Sequence, residues 1–185
     1  MFILYSLVIG LVVGWLAGGR ISGLGAIQFR WPWVMLGALM VQLALFSDQV
    51  TSWIGDLGAP IYVASTVAVA LAVVANRAIP GMLLIAIGAA SNLAAIVANG
   101  GYMPSSPGAQ AALGKVAATV YSNSVVLPDP ALAPLTDIFA MPTWLPMANV
   151  FSLGDVLIGL GVVVVIVSAM RRASTSEAGV AVAVV

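Results

Sequence analysis

Residues 151–172 read FSLGDVLIGLGVVVVIVSAMRR, and this stretch decides the fold. From Phe151 to Met170 it holds a single charged residue, Asp155, and it stops at Arg171 and Arg172. An α-helix rising 1.5 Å per residue needs about 20 such residues to cross the roughly 30 Å hydrocarbon core of a bilayer. Four further runs have the same character: residues 2 to about 19, Trp31 to about Ser47, Pro60 to about Ala75, and about Ile79 to Asn99. Between the fourth and fifth runs, residues 100–149 carry seven of the ten prolines and no apolar run long enough to span. The whole chain agrees with this reading, being 62% hydrophobic and only 6% charged, whereas a soluble domain carries about 25% charged residues. The expectation is an all-α integral membrane bundle of five transmembrane helices. It forms one membrane domain over residues 1–172, with a long loop at 100–149 and a short tail at 173–185. The first run lacks a basic leader and a good cleavage site, so it reads as a retained helix.

Charge sets the orientation, because Lys and Arg accumulate in cytoplasmic loops. With five spans, Arg20, Arg30, Arg77, Arg171 and Arg172 fall on one side. Lys115 falls on the other with Asp48, Asp56, Asp129 and Asp137. A four-span or six-span reading would scatter these arginines. The N-terminus is therefore expected outside and the C-terminus in the cytoplasm. Trp15, Trp31 and Trp33 would mark the inner interface, and Tyr5, Trp53, Tyr62, Tyr102, Trp144 and Phe151 the outer one.

Composition also excludes much chemistry. Six basic residues balance six acidic ones without a basic patch, so nucleic acid is not a partner. Cys and His are absent, which removes thiolate and imidazole catalysis, His-ligated haem and the usual zinc sites. No metal and no cofactor is expected. The remaining partners are the lipid bilayer and, through Gly10, Gly14 and Gly18, another helix. These glycines lie four apart on one helix face, a spacing that serves packing within the chain or a homo-oligomer or membrane-complex contact.

Within the bilayer, Gln42, Ser91 and Asn92 lie at similar depth in the second and fourth spans. They read as interhelical hydrogen bonding or as a polar seam that could carry a substrate. No ionisable residue occupies the midplane, which disfavours classical secondary transport. At the outer end, Ser152 and Asp155 match a capping box in its Asp form, with Phe151 and Val156 as the staple. The alternative catalytic reading pairs Asp155 with Asp137, two carboxylates sharing a proton and activating water. Asn99, Gly100, Gly101, Tyr102, Met103 and Pro104 read as a helix stop or as the floor of an outward-facing binding pocket that includes Asp155. Ala109 to about Tyr121, with Lys115, is a candidate short helix at the outer interface.

Two motifs carry a family resemblance: Asn99-Gly-Gly-Tyr-Met-Pro104, and Val150-Phe-Ser-Leu-Gly-Asp-Val-Leu-Ile158, with Leu135-Thr-Asp-Ile138 between them. The sequence resembles the domain of unknown function 5317 family over most of its length. The resemblance implies a multi-span protein of the bacterial cytoplasmic membrane and brings no activity with it. Phe151-Ser-Leu-Gly-Asp155 is also similar to the last span of lipoprotein signal peptidases, which implies Asp155 as one of an aspartyl pair. The setting of Asp137, preceded by Pro134-Leu-Thr and lacking a following Arg, departs from that pattern. The functional expectation is a non-enzymatic membrane component, an accessory subunit or a lipid- or small-molecule-binding protein. The alternatives are a hydrolase using Asp137 and Asp155, or a small permease.

Overall fold

The structure is a computed structural model and describes residues 2–114 and 124–183. It is mostly helical. Seven helices are α1 (Phe2–Leu16), α2 (Pro32–Leu45), α3 (Asp48–Ile54), α4 (Gly58–Ala75), α5 (Met82–Ala98), α6 (Pro107–Ala112) and α7 (Leu153–Ala183). Four short strands lie in the proline-rich segment: β1 (Met103–Ser105), β2 (Ser124–Val126), β3 (Phe139–Ala140) and β4 (Val150–Phe151). The all-α expectation is corrected there, because five prolines between Leu127 and Met147 break helices and leave extended backbone to pair. Lys115, and the expected interfacial helix beyond Gly114, lie outside the described residues.

The five apolar helices fall where the five runs do. Two helical stretches are long and apolar enough to cross a membrane: Ser52–Ala75 at 24 residues, in which the end of α3 runs through a 3-10 turn at Gly55–Leu57 into α4, and Leu153–Arg172 of α7 at 20. Helices α1, α2 and α5 are apolar but shorter, at 15, 14 and 17 residues. The expectation of five full-length spans is therefore met by two. The others lose residues to their ends. At α1, Gly18 takes φ +76° while its N–H donates to Trp15 O and that of Gly19 to Gly14 O, a closing turn that only glycine enters without strain. Pro80 and Gly81, with Gly81 at φ +93°, delay the start of α5 to Met82. Helix α7 instead runs past Arg172 to Ala183, so the described part of the tail is a helical continuation.

The main contacts between helices run α1 to α7, α7 to α5, α5 to α4 and α4 to α2. The helices thus stand in a row, α1–α7–α5–α4–α2, with α1 and α2 at its edges; α1 and α7 run parallel, and from α7 to α2 the direction alternates. Glycine makes the α5–α7 contact close. A Cβ on Gly161 would sit 2.7 Å from Gly81 O and 2.9 Å from Ile85 N, and one on Gly88 would strike Gly154 O. Gly10 and Gly14 do the same for α1 against Ile166 and Met170. That part of the glycine stripe is used inside the chain. Gly18 is not on the seam, and nothing lies within 4 Å of its side-chain position.

The α1–α2 connector has to travel from one edge of the row to the other. It crosses one end of the molecule as a strap: Arg20 N–H donates to Met170 O on α7, and Ile27 packs with Val73, Met82 and Val165. Its far end is pinned by Asn76, whose Oδ1 accepts from Arg30 N at 2.7 Å and whose Nδ2 donates to Arg30 O at 2.9 Å. All five arginines gather at this end. The strands, the proline-rich segment and the aspartates gather at the other.

Candidate functional site

The site is built where α7 starts beneath the strands. Ser152 is the N-cap of α7: Asp155 N–H donates to Ser152 Oγ at 3.0 Å, and Ser152 N–H donates to Asp155 Oδ2 at 3.1 Å. The capping box expected from the sequence is present in both directions. It extends across the helix row. Asn92 on α5 donates from Nδ2 to Asp155 Oδ1 at 2.8 Å and accepts on Oδ1 from Ser152 Oγ at 2.8 Å. Gly154 makes room for this, because any Cβ there would overlap the Asn92 amide. A hydrogen bond to a charged acceptor is about twice as strong as a neutral one, so this closed set fixes α7 against α5.

Asp137 meets a different environment. It lies on extended backbone between β1 and β3, where its N–H donates to Pro104 O at 2.9 Å and its carbonyl accepts from Ser106 N–H at 3.0 Å. Thr136, Ser105 and Ser152 are fully buried nearby in the chain's cap, and Asp137 itself is only 9% exposed. Its Oδ1 is the buried side-chain atom left without a hydrogen-bond partner among the described residues. Burial pushes the Asp137 carboxyl up from the usual 3.8 to about 7, the charge of Asp155 pushes the same way, and the chain's amino group opposes by less. The two carboxyl groups therefore feel one another, with the first closed into a network and the second open.

The other expected site residues are placed as follows. Gln42 Nε2 donates to Ser65 Oγ at 3.2 Å and Thr66 Oγ1 at 3.3 Å, tying α2 to α4. Ser91 is half-buried beside Asn92 on α5. Asn99 caps α5 through Ala95 O at 2.8 Å and docks the proline-rich segment by exchanging two bonds with the backbone of Ala131. Gly100 and Gly101 close the helix at φ +73° and +94°, with Gly101 N–H donating to Ile96 O. Met103 is buried with Leu45, Tyr62, Ala95 and Ile96, and Tyr102 is half-buried. The stretch from Asn99 to Met103 therefore stops the helix, and among the described residues the structure brings Asn92, Ser152, Asp155 and Asp137 together at the start of α7. Asn92 was legible as an intramembrane amide but not as the partner of Asp155, since 63 residues separate them. Asn76 carries no local signal for its part in holding the connector, since its partner Arg30 lies 46 residues away. Among the described residues no three acidic side chains gather to hold a metal ion.

Comparison with curated proteins gives no match, and comparison with solved structures gives none either. A family model does match, over residues 26–167, taking in α2, α4, α5, both carboxylates and most of the apolar part of α7. That span is well over half of the chain, and the chain belongs to the family of unknown function DUF5317.

Proposed function

We propose that the chain is a multi-pass protein of the bacterial cytoplasmic membrane, with its N-terminus outside, and that its outer cap binds a small molecule at Asp137 and Asp155. The membrane reading is supported by the edge helices. Ile3, Val8, Val12 and Leu16 of α1 and Leu36, Leu39 and Leu43 of α2 are exposed, which water would penalise and lipid does not. All five tryptophans are exposed: Trp15, Trp31 and Trp33 at the arginine end, Trp53 and Trp144 at the aspartate end. Helices α1, α2 and α5 complete their crossings with flanking turns. Cys substitutions test the orientation, because the chain has no Cys of its own. In intact cells an impermeant maleimide should label Ser124→Cys and spare Ser174→Cys. The reverse pattern overturns it.

The binding reading is carried by one observation, the unpartnered buried oxygen of Asp137 beside Asp155. A buried polar atom left unmade costs about 1–3 kcal/mol, and a ligand bearing a hydrogen-bond donor or a positive charge removes that cost. Such a non-enzymatic role needs no further residue. Native mass spectrometry of the chain from mild detergent tests it: a bound small molecule should be present and be lost in Asp137→Asn. Equal retention in that variant sinks the reading.

The coupled carboxyls also favour a second reading, a membrane-embedded hydrolase. One acid near pH 7 and a second carboxylate can hold and pass a proton to and from an attacking water. Cleavage of membrane-anchored peptides lost with either Asp137→Asn or Asp155→Asn, in folded protein, would favour it over simple binding.

A further inference from the structure

Beneath the strap, at the arginine end, lies an open cavity of about 510 Å³ whose lining includes Ile27, Gln28, Pro80, Val165, Ser168 and Arg172. It lies apart from the outer site and borders the arginine-end edge of the α5–α7 seam, where Val165 stands against Gly81. Its inner walls are apolar: Val165 is buried, and Ile27 and Pro80 are half-buried. Its open side is polar, with Gln28 and Arg172 both exposed. The volume is within the roughly 300–1,000 Å³ range of small-molecule sites. The strap and the helix ends place Arg20, Arg30, Arg77 and Arg171 at the same end of the molecule. A cavity that is apolar within and carries Arg172 on its open side, set at a membrane–water boundary, matches a molecule with an anionic head and an apolar tail. Basic pockets between membrane helices on the cytoplasmic side take lipid headgroups for this reason.

We infer that this cavity binds the phosphate-bearing headgroup of an anionic phospholipid. Arg172 and Gln28 take the phosphate, and Ile27, Pro80 and Val165 hold the start of an acyl chain. The inference rests on the membrane reading above, and its test separates the two. The full chain, purified in mild detergent, is titrated with phosphatidylglycerol, phosphatidylcholine or inorganic phosphate and read by native mass spectrometry. Phosphatidylglycerol should be retained about fivefold or more over phosphatidylcholine, as one Arg near the surface supplies. Arg172→Gln should bring the two lipids to parity, Gln28→Leu should narrow the gap, and Arg77→Gln, outside the cavity, should leave it unchanged. No preference in the parent chain overturns the inference, as does an equal loss in Arg77→Gln, which would mean diffuse charge. Inorganic phosphate displacing the lipid at similar concentration overturns it in favour of a soluble anion. If alkaline carbonate strips the chain from membranes, the membrane reading fails. If the chain stays embedded without lipid preference, this inference alone fails.

Discussion

The seam along α7 and the cap over its first turn join the same helices by opposite means. Along the seam, Gly81, Gly88, Gly154 and Gly161 remove side chains so that backbones touch, and dispersion does the holding. At the cap, Asn92, Ser152 and Asp155 add polar atoms and close them into a set of four hydrogen bonds. The seam tolerates no added atom, whereas the cap tolerates no missing partner. Asp137 is the exception that shows the rule, because it stands at the cap with one oxygen open. Where the buried polar groups are paired the contact is structural, and the open oxygen of Asp137 is the atom on which the proposed ligand site rests.

The largest effect should come from breaking the seam. Gly161→Leu forces a side chain against Ile85 and Gly81 O, which are backbone or tightly placed, and should cost about 3 kcal/mol or more. Thermal unfolding in detergent checks this, with Gly37→Leu, facing open space on α2, as the tolerated control. A similar loss in both would mean that the seam is not special.

The next effect should appear as pH dependence at the cap. The Asp137 carboxyl is raised to about 7 in the folded chain, so the folded state keeps a proton that the unfolded chain gives up near 3.8. Its stabilising contribution is complete below about pH 4 and is lost as pH rises through 7. Asp137→Asn should flatten melting temperature between pH 5 and 8. An unchanged slope would assign the dependence to another group.

Smaller changes sharpen the closed network. Asn92→Ala removes one bond to Asp155 and one to Ser152 and should cost about 1–2 kcal/mol. Ser152→Ala removes the N-cap acceptor and should cost about 1 kcal/mol. A double-mutant cycle between the two positions should show coupling; strict additivity would mean that cap and cross-helix bonds act separately.

Much of the fold was legible, because a long apolar run ended by charge or a turn is a local signal for a helix. Five such runs located five helices, and the segregation of Arg20, Arg30, Arg77, Arg171 and Arg172 anticipated their common end. Ser152 and Asp155 gave the capping box because capping is local, acting within four residues. The strands were not legible, since β1 pairs with β2 and bridges to Asp137 across roughly 20 to 30 positions of sequence, beyond the reach of any local pattern.

The sequence by itself determined the apolar helices, their alternation and their caps, since each depends on neighbours one turn away. Tertiary structure alone decided that α7 lies between α1 and α5 and that the connector crosses beneath it as a strap. It also decided that Asn92 meets Asp155, and that Asp137 is buried with one oxygen unpaired. These depend on which distant groups share a small volume. Packing selects them, and no local pattern in the chain encodes a contact across 60 residues.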